Sequence, residues 1–374
     1  MFNRILEPKL LNQLSSKKVI VLIGPRQVGK TTLIKSMLLK DKEYIFVNGD
    51  DPQSVEAFNN VGIARIKQLI GNAKIVFVDE AQRIPNIGLI AKMIYDELHE
   101  VKVILSGSSA FDLTQSVHEP LTGRALEYRL FPISWMEYQE KLGLLDALNN
   151  LENRLIYGFY PEVLMNGGDE KSVLAQLSSS YLYKDILEFG GIKRSELLIR
   201  ILKALALQVG NEVSYNELAQ VVQADKNTVI NYIDLLEKVF VIFRLEPLSR
   251  NVRNEISTSR KIYFYDNGIR NAIIGAFQPL SLRNDVGALW ENFFISERIK
   301  MKAYTKHFVS SYFWRSYQQQ EVDYIEEENG DLTAFECKWN PKSKARFPKT
   351  FVDNYKPANT YKIDKNSFVD YLQI

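Results

Sequence analysis

The chain has one cysteine, Cys337, in 374 residues. An intramolecular disulfide framework is therefore excluded, and a lone thiol suits a reducing compartment, so a cytoplasmic location is expected. Histidine is almost as scarce. His99, His118 and His307 are scattered, and with Cys337 they cannot build a zinc site of the usual kind. No apolar run reaches the roughly 18 residues of a membrane span. The opening Met-Phe-Asn-Arg-Ile-Leu-Glu-Pro lacks the apolar core of a signal peptide, so no membrane partner is expected. The formal net charge is only +2, which gives no global field toward nucleic acid; any basic surface has to be local. No Asn-Lys-x-Asp guanine-reading motif occurs, which favours ATP over GTP for any nucleotide site. There is no internal repeat and no low-complexity tract. What remains is an ordinary globular composition, 46% hydrophobic and 25% charged, with room for two or three domains.

Against these absences, residues 24–32 stand out: Gly24-Pro25-Arg26-Gln27-Val28-Gly29-Lys30-Thr31-Thr32. They fit the phosphate-binding loop G-x-x-x-x-G-K-[ST]. An apolar run, Lys18 to Ile23, precedes them, and a helical pattern, Leu33 to Leu39, follows. The two glycines let backbone N–H groups close around phosphates at a helix N-terminus. Lys30 would reach the β- and γ-phosphates and Thr31 would hold Mg²⁺. About fifty residues on, Ile75-Val76-Phe77-Val78-Asp79-Glu80 is an apolar strand ending in two carboxylates, the Walker B pattern. Asp79 would bind Mg²⁺, mostly through water, and Glu80 would orient and deprotonate the attacking water. A third strand, Val101 to Leu105, ends in Ser106-Gly107-Ser108-Ser109. Ser108 is the candidate for contacting the γ-phosphate or the water; an ordinary Ser/Gly loop is the alternative.

Strand and helix patterns alternate through residues 1–135, as in an α/β parallel sheet with helices on both faces. Residues 136–192 are helical by period and fit a small lid. Residues 193–285 run helix, capping box (Ser214 to Glu217), turn, helix and β-rich segment. This is a winged-helix order, with a structural helical hairpin as the alternative. Arg244, Arg250, Arg253, Arg260 and Lys261 cluster beside it, readable as phosphate contacts or as a solvated charged loop. Residues 286–374 open with a helix containing Glu291 and continue with strands joined by the turn signal Asn329-Gly330. Along the last strand Phe335, Cys337 and Trp339 share one face, and Glu336 and Lys338 the other. With Asp323 on the paired strand, these groups would converge as in a Mg²⁺-dependent phosphodiesterase, Glu291 adding a further oxygen. A half-exposed strand carrying an ion pair is the alternative.

Taken together, these motifs resemble a family of bacterial and archaeal AAA-type P-loop ATPases with a C-terminal domain of unknown function. The resemblance is carried also by Val78-Asp79-Glu80-Ala81-Gln82, Leu121-Thr122-Gly123-Arg124, Phe131 to Tyr138, Gly158 to Glu162, Tyr263 to Gly268 and Gly287 to Asn292. It implies an ATPase core, a winged-helix module and a fold like that of PD-(D/E)xK restriction endonucleases. Glu321-Val322-Asp323 and Glu336-Cys337-Lys338 match the nuclease motif. It also makes Arg124 the candidate sensor or trans-acting arginine, with a structural salt bridge as the alternative. The expected function is a Mg²⁺-dependent ATPase switch acting on DNA or RNA, in defence or genome maintenance; a nuclease gated by ATP in the C-terminal unit is a further alternative. The rival is a protein-interaction switch, homo-oligomeric or with a partner protein, in which the later domains only bind.

Overall fold

The computed structural model of the chain describes residues 2–38, 43–108, 119–182, 195–248, 260–305 and 308–373. Ser109, His118, Arg250, Arg253, His307 and the last part of the expected lid, 183–192, lie outside the described residues. The chain divides into two compact units, 1–133 with 238–240, and 134–237 with 241–374.

The first unit is built on five parallel strands: β1 (Val19–Ile23), β2 (Tyr44–Asn48), β3 (Ile75–Asp79), β4 (Lys102–Gly107) and β5 (Ala125–Arg129). Their order is β2-β3-β4-β1-β5. The three central strands are buried along their whole length, which is why they read as unbroken apolar runs rather than alternating ones. The helices are α1 (Glu7–Leu14), α2 (Lys30–Leu38), α3 (Pro52–Phe58), α4 (Ile63–Ile70) and α5 (Ile87–Glu97). In α5, Ile87, Ile90, Ala91 and Ile94 recur at helical spacing and are buried. Because every strand runs the same way, all five carboxyl ends share one edge of the sheet. That edge is where ligands bind in open α/β sheets.

The second unit opens with the helices α6 (Trp135–Leu142), α7 (Leu144–Asn149), α8 (Leu151–Tyr157), α9 (Pro161–Met165) and α10 (Glu170–Gln176). A reciprocal capping box starts α6: Glu137 N–H donates to Ser134 Oγ, and Ser134 N–H to Glu137 Oε2. Then come α11 (Ser195–Leu207), β6 (Glu212–Val213), α12 (Tyr215–Val222), α13 (Lys226–Lys238), β7 (Ile242–Pro247), β8 (Arg260–Phe264) and α14 (Asn267–Ile274). The chain ends with α15 (Val286–Thr305), β9 (Ser310–Arg315), β10 (Glu321–Glu328), β11 (Asp331–Cys337), α16 (Lys349–Tyr355) and β12 (Asn359–Ile363). Seven strands form one sheet, β12-β11-β10-β9-β7-β8-β6, through a parallel β7–β9 pairing. Residues on both sides of position 285/286 therefore share one hydrogen-bonded layer.

The helical stretch expected as a lid on the nucleotide core packs within this second unit. Its loop residue Phe159 donates its N–H to the buried Asp266 carboxylate, and Asn271 donates to the carbonyls of Leu155 and Ile156. A Cβ at Gly158 would stand 2.0 Å from Asp266 Oδ1, so only glycine admits this contact. The Gly158-Phe159-Tyr160 and Tyr265-Asp266-Asn267-Gly268 segments, far apart in sequence, are thus two sides of one joint. Amphipathic period alone does not say which partner a helix packs on.

Candidate nucleotide site and a buried ionic cluster

The phosphate loop links β1 to α2 at the carboxyl edge of the first sheet. Gly24 has φ +156°, and an added Cβ would lie 2.0 Å from Leu130 O. Gly29 has φ +93°, a conformation that side chains strain to adopt. Lys30 is buried and donates to Gly24 O and Pro25 O, both at 2.9 Å. Its ammonium is thus stored against neutral carbonyls of the loop it belongs to. Thr31 Oγ1 donates to Asp79 Oδ2 at 2.6 Å, across 48 residues of sequence. The hydroxyl and carboxylate expected to share Mg²⁺ are therefore adjacent, and the donor set, one hydroxyl and one carboxylate, suits a hard cation that keeps its waters.

β4 lies between β1 and β3 and brings serines to the same edge. Ser106 hydroxyl donates to Asp79 Oδ1. Ser108 Oγ lies 3.3 Å from Glu80 Oε2, and Gln82 Nε2 donates to the same oxygen at 2.5 Å. Glu80 itself is in the left-handed region, φ 47°, at the turn where β3 ends. Its carboxylate is thus held by Ser108 and Gln82 rather than left to rotate. Gln82 Oε1 is buried without a hydrogen-bond partner, as is Gln27 Oε1 in the loop. Two acceptors in want of donors are what a site that takes up an ordered water or a hydrated ligand would present. The structure accordingly places Lys30, Thr31, Asp79, Glu80 and Ser108 together on one edge with the loop Gly24–Thr32.

Reading by motif misses three groups here. Ser106 and Gln82 lie beside the recognised residues but carry no spacing rule of their own. Arg4, buried, comes from the N-terminal arm: its Nη1 donates to Val28 O at 2.7 Å and its Nη2 to Phe131 O at 2.6 Å. It ties the phosphate loop to the segment after β5. Nothing in a lone arginine before a helix signals this.

Arg124 is elsewhere. β5 runs parallel to β1 with Ala125 opposite Val19 and Arg129 opposite Ile23, so Arg124 sits at the amino edge of the sheet. The phosphate loop is a strand length away, about 16 Å at ~3.3 Å per residue. Arg124 pairs with Asp96 at 3.1 Å and lies over the Tyr95 ring. It therefore does not reach its own chain's phosphate site; a sensor role in cis is corrected to a salt bridge, because strand direction, not order after the sensor strand, decides which edge a residue occupies.

In the second unit the hairpin β10–β11 turns at Asn329 and Gly330, both with positive φ, as the turn signal requires. Tyr324 pairs with Phe335, and a register irregularity between Val322 and Ile325 brackets Asp323. Asp323, Glu336, Lys338 and Glu291 do come together. Each carboxylate, however, is met by a donor of the protein itself. Asp323 Oδ2 accepts from Cys337 N–H at 2.8 Å and lies 3.5 Å from Lys338 Nζ. Glu336 Oε2 is 2.9 Å from Lys338 Nζ. Glu291 Oε1 accepts from Tyr263 hydroxyl at 2.5 Å and from Lys261 Nζ at 3.0 Å. Lys261 also pairs with Glu321. Among the described residues no group of three or more such side chains is arranged to hold a metal ion. Burial, with the neighbouring Asp323 charge, pushes Glu291 and Glu336 up to about 7. Lys261 and Lys338 are held above the ordinary lysine range by the carboxylates around them, against the opposing effect of burial. Burial comes first for the two carboxyls and the neighbouring carboxylate charge adds to it, while for the two lysines the same carboxylates outweigh burial.

The basic cluster expected to contact phosphates is corrected for its described members. Arg244 is paired with Asp234 and Glu237, Arg260 with Glu246, and Lys261 is buried. Arg244 and Lys261 are met by acidic groups of α13, α15 and β10, whereas the pair of Arg260 with Glu246 of β7 is exposed.

Residues 16–139 match the family model described as AAA domain. Residues 148–280 and 286–371 match two family models described as domains of unknown function, DUF8612 and DUF4143. An uncharacterized protein of Mycobacterium tuberculosis is 27% identical over 338 residues, covering 88% of this chain and 72% of that protein. An uncharacterized protein of Haemophilus influenzae is 24% identical over 283 residues, covering 68% of this chain and 69% of that protein. Among solved structures, the Pif1 helicase from Candida albicans aligns with a TM-score of 0.28 at 15% identity, over 48% of each chain. This chain therefore spans about half the length of that helicase. Among the described residues no helix is long and apolar enough to cross a membrane. Residues 16–139 are thus similar to an AAA domain, and the first unit, with the phosphate loop and the Asp79-Glu80 strand end at one sheet edge, is a P-loop ATPase-like core.

Proposed function

We propose that the chain is a Mg²⁺-dependent ATPase switch that turns over ATP in its first unit and uses its second unit to engage a partner. The observation that carries this reading is the contact of Thr31 with Asp79, beside a Glu80 carboxylate held by Ser108 and Gln82. In this reading Lys30 exchanges the carbonyls of Gly24 and Pro25 for the β- and γ-phosphate oxygens. Thr31 and Asp79 hold Mg²⁺, which when bound neutralises charge on the phosphates. Glu80 accepts the proton of the attacking water, and Ser108 and Gln82 keep its carboxylate aimed. Ser106 fixes the second oxygen of Asp79. Arg4 holds the loop backbone in the phosphate-binding shape.

The order α11-β6-α12-α13-β7-β8, with β8 between β7 and β6, supports a winged-helix reading and hence nucleic acid as the partner. The ion pairing of Arg244, Arg260 and Lys261 favours the second reading, in which this module contacts protein. The test is the rate of Mg²⁺-dependent ATP hydrolysis with and without single- and double-stranded DNA and RNA at low salt. Turnover that rises with nucleic acid, with an affinity that falls steeply with salt, supports the first partner. Turnover indifferent to nucleic acid supports the second, and no turnover under any condition refutes the ATPase switch.

A further inference from the structure

We propose that Lys261 is an internal cation that fills the acidic cluster of the second unit in place of a divalent metal ion, so that this cluster binds neither Mg²⁺ nor Mn²⁺ and serves as a fixed ionic joint between β8, α15 and β10. The nuclease-like motif implies a metal on Asp323 and Glu336, with Glu291 and Lys338 beside them. The donors present do not fit one. A cation of this kind needs near-octahedral oxygen ligation at roughly 2.0–2.1 Å, from carboxylates free to turn toward it. Here one oxygen of each carboxylate is already met by the protein: Asp323 Oδ2 by the Cys337 N–H, Glu336 Oε2 by Lys338, and Glu291 Oε1 by both Tyr263 and Lys261.

The ammonium of Lys261 cannot step aside. The residue is 1% exposed and lies on β8, next to the short edge strand, opposite Glu212 on β6 and Leu245 on β7. Its side chain runs past the Phe313 ring to Glu291 and Glu321. Glu321 is braced in turn by Arg315 at 3.6 Å. Moving the ammonium into water would strip Glu291 and Glu321 of their cation and pull the side chain off the Phe313 ring. Leaving it in place would set a divalent ion against a buried positive charge, with Glu291 already shared. The cluster is therefore complete as it stands: the cation comes from β8, 30 residues upstream of Glu291, and not from solvent.

The experiment is a Mn²⁺ titration followed by electron paramagnetic resonance on the nucleotide-free full chain. All proteins carry Asp79→Asn, so that the phosphate-loop site is silent. With Lys261 intact, the titration is expected to be the same with and without Asp323→Asn, and to show no saturable site. Lys261→Met is expected to gain a saturable site, roughly tenfold or more tighter than any residual binding, and Lys261→Met/Asp323→Asn to lose it. A saturable, Asp323-dependent Mn²⁺ site in the protein with Lys261 intact would overturn the proposal. So would a folded Lys261→Met protein that gains none. If Lys261→Met does not fold, the two arms that retain Lys261, with and without Asp323→Asn, decide alone.

Discussion

Lys30 in the first unit and Lys261 in the second are both buried lysines, 5% and 1% exposed, yet the acceptors seen at their ammonium groups differ in kind. Lys30 donates to two backbone carbonyls, Gly24 O and Pro25 O, acceptors that carry no net charge. Lys261 is held by Glu291 and Glu321, and removing it leaves buried carboxylates unmatched. The same contrast runs through the acids. Asp79 is held by hydroxyls of Thr31 and Ser106, which can turn toward an ion or a water. Asp323 and Glu336 are held by an N–H and an ammonium, which cannot accept anything.

That contrast can be broken at its strongest point first. Lys30→Ala should lower ATP affinity by about 10²-fold or more, since the cation facing the phosphates is gone; binding of a fluorescent ATP analogue measures it. Lys261→Met should leave that binding within about twofold but destabilise the second unit by about 3–5 kcal/mol, the usual cost of breaking a buried pair from one side. Chemical denaturation checks this, and adding Glu291→Gln should recover part of the loss. An unaltered denaturation midpoint in Lys261→Met would mean that the ionic joint is not one.

A smaller effect follows from the raised carboxyls. Glu291 and Glu336 stand at about 7 in the folded chain against 4.5 when unperturbed. Between those values the folded chain holds more protons than the unfolded one, so stability falls as pH rises from about 4.5 to 7. Glu336→Gln should flatten that slope in a pH series of thermal unfolding; an unchanged slope would place the proton uptake elsewhere. The smallest effect is expected at Arg124. Its exposed pair with Asp96 is worth ~0.2–1 kcal/mol, and Arg124→Ala should change ATP turnover less than about twofold. A large loss, restored by mixing Arg124→Ala with Lys30→Ala protein, would instead put Arg124 at a neighbouring subunit's phosphates.

The sequence is most legible where chemistry is local. The placement of Gly24 to Thr32 and Asp79-Glu80 at strand ends of one sheet is legible, because a strand-to-helix loop is contiguous and a buried parallel strand reads as an apolar run. The β10–β11 hairpin is legible for the same reason, its turn residues both at positive φ. Arg4, Ser106 and Gln82 are not, since their partners come from other elements and no spacing records them. Lys261 misleads for a related reason: beside Arg260 in sequence it looks like part of a basic surface, but alternate residues of a strand face opposite ways. Arg260 meets Glu246 and Lys261 faces the interior. Arg124 shows that sequence order along an α/β unit does not give the edge; pairing direction does.

The most direct test of the account is ATP hydrolysis by Glu80→Gln beside the unaltered chain, with Mg²⁺ and with the ion chelated. The account predicts Mg²⁺-dependent turnover in the unaltered chain. In Glu80→Gln, ATP binding should be retained while turnover falls by about 10² or more, as for loss of a positioned base. Equal turnover in the two proteins would contradict the assignment of Glu80, and with it the reading of the first unit's carboxyl edge as the catalytic site.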